Sequence, residues 1–370
     1  MSSKSNAPKA TQTLRTALNG IFQEREQVID GMMISLLARQ GLYMLGPPGT
    51  GKSFLCRVMT SMLTGAKYFE KTLNKFSVPE ELFGSISFSS MQTDIYERVV
   101  EGMLPDCHVA FLDEVPRAGA SLLDATLPVI NERKFKNGKA LLNCPLETFF
   151  AAGNTIPDAE GLEAFWDRMV LRYVVQEIQS DDNMKALLKL QMGQLPSVTL
   201  DEIHAEQAAA MALPIPDAIL NIYLQLRTEV KNAGLVISDR RWMQATAILK
   251  AQAYLNGHTQ VESDDLEILE AVLWSNPEEM KQIRQLVSKF SNQLGEAIIA
   301  HTDAVHAILG RFRKKEEDLP AYEVQKKLKK SLDSLRALQK PGTANTKLEK
   351  AIAQVVVLNN KFVKEELGVE

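Results

Sequence analysis

The stretch Gly46-Pro-Pro-Gly-Thr-Gly-Lys-Ser53 follows the apolar run Leu42-Tyr-Met-Leu45 and precedes a helical pattern from Ser53 to Leu63. Those residue types at that spacing suit a phosphate. Gly46, Gly49 and Gly51 let the backbone turn tightly and aim its N–H groups inward. A helix that opens directly after the loop adds partial positive charge at its N-terminus. Lys52 supplies a full charge for β- and γ-phosphates, and Ser53 offers a hydroxyl to Mg²⁺. The candidate phosphate site is therefore Gly46, Pro47, Pro48, Gly49, Thr50, Gly51, Lys52, Ser53 and Phe54. A chance glycine-rich turn would need neither the strand before it nor the helix after it.

Three further elements carry polar groups to strand or helix ends. Val109-Ala-Phe-Leu-Asp-Glu114 is a buried-strand pattern ending in two carboxylates. Successive strand side chains face opposite ways, so the pair divides its work. Asp113 is expected to face the Mg²⁺ shell, and Glu114 to polarise an attacking water as general base. Phe149-Phe-Ala-Ala-Gly-Asn154 is another apolar strand that ends in an amide. Asn154 could hold that water or the γ-phosphate, and "Gly-Asn" is equally ordinary turn chemistry. Arginines come last, in Glu163-Ala-Phe-Trp-Asp-Arg168 and Ser238-Asp-Arg-Arg-Trp242. Phosphoryl transfer gains when an arginine meets the developing charge.

The elements that must position these groups read as an α/β fold with a parallel sheet, followed by helices. Buried-strand patterns fall at 42–45, 109–112, 148–152 and 170–175. Strand signals stop after Ser180. Residues 197–275 read as about four helices, following Thr199 and Pro216, spanning Asp239 to Asn256, and opening at Ser263-Asp-Asp. Apolar stripes over 283–312, 328–338 and 348–362 predict three more amphipathic helices. The expected organisation is a disordered tail at 1–12, an α/β core at 13–180, a helical lid at 197–275 and a helical bundle at 277–370.

Net charge is −4, which does not suit a protein that chiefly coats nucleic acid. Cys56, Cys107 and Cys144 have no metal spacing and read as buried, reduced thiols. The N-terminus lacks an apolar signal core, and no run of about 18 apolar residues occurs. A cytoplasmic protein without a membrane span is expected.

In this order of motifs the chain resembles the AAA+ ATPases. More narrowly, it resembles the MoxR family and its RavA-like branch. The carrying segments are "LGPPGTGKS" (45–53), "FSVPEELFGSISF" (76–88), "FLDEVPRAG" (111–119), "INERKFKNG" (130–138), "AAGNTIPDAEGLEAFWDRMVLR" (151–172), "SDRRW" (238–242) and "LW" (273–274). Together they span roughly 20–280. The resemblance implies ATP with Mg²⁺. Lys52 and Ser53 match the Walker A positions, and Asp113 and Glu114 the Walker B positions. Asn154 matches sensor 1, and Arg168 the arginine finger that acts on a neighbouring subunit's nucleotide. Arg240 matches the sensor 2 arginine of the lid, with Arg241 as the adjacent alternative. Residues 76–105 match the helix-2 insert, and 131–147 include the insertion before the sensor 1 strand. The chain departs from the RavA-like pattern at 277–370, which reads as helices only, without the β-rich inserted domain.

The resemblance further implies a homo-hexameric ring that remodels or activates protein substrates in a chaperone-like manner. Its lid would move against the core during hydrolysis. The partner would be a separate von Willebrand A-domain protein, since no DxSxS metal-site motif occurs in this chain. Two rivals are a nucleic-acid-associated motor and an ATP-gated scaffold. Nucleic acid is disfavoured because the basic runs at 311–315 and 326–330 are interleaved with carboxylates. A scaffold would have no use for Glu114.

Overall fold

A computed structural model describes residues 9–157, 161–291, 293–314, 320–338 and 346–367. The chain forms two compact units, Met1–Ile283 and Arg284–Glu370.

The first unit is built on a parallel sheet. In chain order its strands are β1 (Leu42–Leu45), β2 (Leu63–Thr64), β3 (Tyr68–Thr72), β4 (Val109–Asp113), β5 (Lys134–Asn137), β6 (Ala140–Asn143), β7 (Thr148–Gly153), β8 (Leu171–Val174) and β9 (Val198–Thr199). The main sheet has five strands in the order β3-β4-β7-β1-β8. Strands β1 and β7 are buried along their whole length, which is why they read as unbroken apolar runs. The edge strand β3 is only partly buried and carries Glu70 and Lys71, so no apolar run marked it. Strands β5 and β6 form an antiparallel hairpin, and β2 pairs with β9.

Helices of this unit are α1 (Ala10–Ile21), α2 (Glu26–Ala38), α3 (Lys52–Ser61), α4 (Pro79–Phe83), α5 (Phe88–Met91), α6 (Ala120–Leu127), α7 (Glu163–Arg168), α8 (Asp181–Leu188), α9 (Leu200–Met211), α10 (Asp217–Asn232) and α11 (Asp239–Asn256). The tail expected over 1–12 is corrected at its end. Helix α1 begins at Ala10, where the Glu206 carboxylate accepts from the Ala10 and Thr11 amides at 2.7 and 3.1 Å. Residues 1–8 lie outside the described residues.

The helices that follow the main sheet keep to their caps. Thr199 and Glu202 make a reciprocal capping box at the start of α9. The Ser238 hydroxyl accepts from the Arg241 amide at 3.1 Å at the start of α11. Gly257 ends α11 with φ 78°. The helix expected at Ser263-Asp-Asp is instead a 3₁₀ segment, Asp264–Ala271. The buried Asp265 carboxylate turns back to accept from the Glu262 amide and the Asn256 side chain at 2.8 and 2.7 Å. Such local bonds compete with regular helix.

The remaining α-helices among the described residues are α12 (Met280–Ser291), α13 (Gln293–Lys314), α14 (Ala321–Ala337) and α15 (Thr346–Phe362). The stripe expected from Ile283 to Phe312 falls on α12 and α13, and those beginning at Leu328 and Leu348 fall on α14 and α15. The second unit has its own core, with Val305, Leu309, Val324, Leu328, Leu335, Val355 and Phe362 buried together.

Candidate nucleotide site

Parallel pairing sets Gly46 beside Gly153, whose carbonyl accepts the Gly46 amide at 3.0 Å. A Cβ at Gly46 would fall 2.0 Å from the Val175 carbonyl oxygen, so the chain leaves β1 through a gap only glycine fits. Gly49 and Gly51 adopt φ of 81° and 82° with open space around them. The Lys52 ammonium is buried in this loop and donates to Gly46 O, Pro47 O and Thr50 Oγ1 at 2.9, 2.8 and 3.3 Å. All three acceptors are neutral. Burial lowers the Lys52 pKa, and the charges of Asp113 and Glu114 act against that. Phe54 is 41% exposed, with its ring tilted against Phe22 at 5.4 Å.

The acidic pair sits at the same end of the sheet. Asp113 closes β4, and its Oδ1 accepts the Glu114 amide at 2.9 Å. Glu114 turns out of the strand with φ 55° and lies 3.1 Å from Arg117. Asn154 directly follows β7 and is exposed. Beneath them Tyr43 donates to the Thr155 carbonyl at 2.7 Å, its phenol pKa pushed up by burial and then by Glu114 and Asp113. The open glycine cradle, a cation held only by neutral oxygens, and the hard oxygen donors Ser53 and Asp113 fit a magnesium nucleotide.

Residues without a sequence signature brace the loop. Arg25, between α1 and α2, donates to Thr50 O and Gln176 O at 3.3 and 2.7 Å. Its neighbour Glu24 accepts from Gln179 N, Ser180 N and Asn183 Nδ2 at 2.8, 2.9 and 2.8 Å. The loop and the chain leaving β8 are tied to the same turn.

The arginines stand elsewhere. Leu171 pairs with Leu42, and the Arg168 carbonyl lies 3.1 Å from the Cβ direction of Gly41. That is the opposite end of β1 from Gly46, five Cα steps or roughly 16 Å away. Arg240, at the start of α11, directly precedes Arg241, which pairs with Asp167 beside Arg168. Burial lowers the Arg168 pKa, and the charge of Arg240 lowers it further. Arg240 is exposed, whereas Arg241 is 3% exposed and paired with Asp167 at 3.0 Å. The structure therefore brings Lys52, Ser53, Asp113, Glu114 and Asn154 to one end of the sheet, and Arg168 and Arg240 to the other.

The description "MoxR domain in the MoxR-vWA-beta-propeller ternary systems" belongs to a family model that matches residues 9–212. An AAA lid domain model matches 217–287. One uncharacterized protein of Methanocaldococcus jannaschii is 33% identical over 310 residues, 83% of this chain and 83% of its own. A second from that organism is 34% identical over 297 residues, 80% of this chain and 78% of its own. A structural protein of Acidianus two-tailed virus is 23% identical over 207 residues, 52% of this chain and 33% of that protein. A solved Cytophaga hutchinsonii structure, described as a "putative ATPase", aligns with TM-score 0.61 at 14% identity. It covers 76% of this chain and 96% of that one, and shares the fold. With the α/β core and helical lid both matched, the chain belongs to the MoxR family of AAA+ ATPases.

Proposed function

We propose that this ATPase works as a ring, homo-hexameric by its resemblance to AAA+ rings, and uses ATP with Mg²⁺ to remodel partner proteins. The observation that carries the ring is the separation of Arg168 and Arg240 from their own loop by the length of β1. Neither arginine makes an ion pair among the described residues, and two neighbouring guanidinium groups suit an anion from outside. A second copy's γ-phosphate is that anion.

On this reading Lys52 and the loop amides hold the phosphates, while Ser53 and Asp113 hold Mg²⁺, which neutralises phosphate charge when bound. Glu114 takes the proton of the attacking water and Asn154 orients it. Arg168 and Arg240 meet the charge that develops on the neighbour's γ-phosphate. Arg241 is given no part in this, because Asp167 already occupies it.

Remodelling is supported by the two insertions, which join each other. Asn137 of β5 exchanges hydrogen bonds with the Arg98 backbone at 2.6 and 3.0 Å, and Phe83 stacks on Phe135 at 5.2 Å. Phe76, Phe88, Tyr96 and Leu141 are 77%, 77%, 67% and 61% exposed there. Apolar groups displayed in that number mark an interaction surface. The family description supports a separate von Willebrand A-domain protein as partner. The RavA-like assignment rests on the "SDRRW" lid segment and the helical second unit.

The test is capture by the Glu114→Gln protein with and without ATP. Recovery of a von Willebrand A-domain protein only with ATP is expected. Equal recovery in both conditions would remove nucleotide control from the proposal.

A further inference from the structure

Helix α7 ends in Asp167 and Arg168, and lid helix α11 opens with Asp239, Arg240 and Arg241 behind its cap Ser238. The Ser238 hydroxyl lies 2.8 Å from both Asp167 carboxylate oxygens and donates its proton between them. Arg241 donates to Asp167 Oδ1 at 3.0 Å and to Ser275 Oγ at 3.1 Å. Trp166, just before Asp167, donates its indole N–H to Ser275 O at 3.1 Å. The buried Arg172 guanidinium lies 3.8 Å over the Trp166 ring and donates to the Trp274 carbonyl. Asp167 makes none of its hydrogen bonds to the nucleotide loop or the acidic pair.

The carboxylate has an electrostatic task too. Arg168 and Arg240 are like charges brought together, an arrangement that opposes itself. Asp167 offsets it for Arg168, as Asp124 and Glu132 also do. We propose that Asp167 is a positioning residue: through Ser238 and Arg241 it locks the lid to α7, so that Arg168 and Arg240 meet one anion together. The lid arginine and the finger then move as a single body, rather than as a lid that closes over its own core. This inference rests on the reading that both arginines serve a neighbouring copy's nucleotide.

Subunit mixing separates the two ideas. Arg168→Ala and Glu114→Gln proteins are each expected to be inactive, and to regain phosphate release when mixed. Absence of that recovery sinks the reading in which the arginines act on a neighbour. Asp167→Ala alone is expected to lose between about ten- and a hundredfold in kcat, as misplaced catalytic groups do. Its affinity for a fluorescent ATP analogue at its own loop should stay within about twofold. Mixed with Glu114→Gln, it should regain activity like the Arg168→Ala protein. Near-normal kcat for Asp167→Ala, lost analogue binding, or no recovery on mixing overturns the role of Asp167 alone. Ser238→Ala, which keeps the Arg241 pair, gives a second reading should Asp167→Ala not fold. It is expected to lose activity by a smaller factor in kcat only, and an unchanged kcat would also overturn the proposal.

Discussion

Asp167 and Arg241 pair at 3.0 Å across the joint between α7 and α11, and each stands next in sequence to an arginine with no ion pair among the described residues. One residue of each neighbouring couple builds the joint, and on the proposed reading the other is left for chemistry. Arg240→Ala should therefore abolish phosphate release without changing the urea midpoint. Arg241→Ala should lower stability by about 3 kcal/mol, the low end for breaking a buried pair, because Asp167 retains some exposure. Urea unfolding beside phosphate release distinguishes the two, and the reverse pattern would exchange their roles.

The two ends of the phosphate chemistry should fail differently. Lys52→Ala removes the buried cation of the loop and should lose nucleotide binding itself. Glu114→Gln keeps the loop and should bind the fluorescent analogue normally while phosphate release falls by about a hundredfold or more. Normal turnover by Glu114→Gln would remove Glu114 as general base.

Gly46→Ala tests the exit from β1. The added Cβ would meet a backbone carbonyl at 2.0 Å, which cannot move without shifting β8. Weaker analogue binding and a lower melting temperature are expected together. A change confined to kcat would contradict the packing argument.

Glu24 gives the fold a pH dependence. Burial pushes its pKa up, but the hydrogen bonds from Asn183, Gln179 and Ser180, with the charge of Arg25, outweigh that and hold it below the ordinary glutamate value. A carboxylate depressed in the folded state stabilises above its unfolded pKa, and the contribution disappears as pH falls through the folded pKa. The urea midpoint of the wild type should exceed that of Glu24→Gln at neutral pH. The gap should close below the ordinary glutamate value of about 4.3. A gap that persists at lower pH would assign the effect to packing.

The sequence announced what is local and what is buried on both sides. Strands β1, β4 and β7, the phosphate loop, and the start of α9 at Thr199 each declare themselves within a few residues. What stayed hidden was made by partners far apart in the chain. Arg25 finds Gln176, and Asp167 finds Ser238, only after the sheet and lid are assembled. The edge strand β3 and the exposed hairpin of β5 and β6 lack the apolar runs that identify central strands. Arg240 and Arg241 are identical in type and adjacent, and burial alone tells them apart.

Strand β1 is four residues long, with the phosphate loop at one end and Arg168 beside the other. On the proposed reading each copy thus has a head and a tail, and assembly joins unlike surfaces. A copy lacking both arginines would still hydrolyse its own ATP when correctly neighboured, while silencing the site of the copy it faces. Titrated into the wild type, such subunits act as a dose-controlled poison. A linear fall in turnover would mean that sites fire independently, and a steeper fall that each waits on its neighbours.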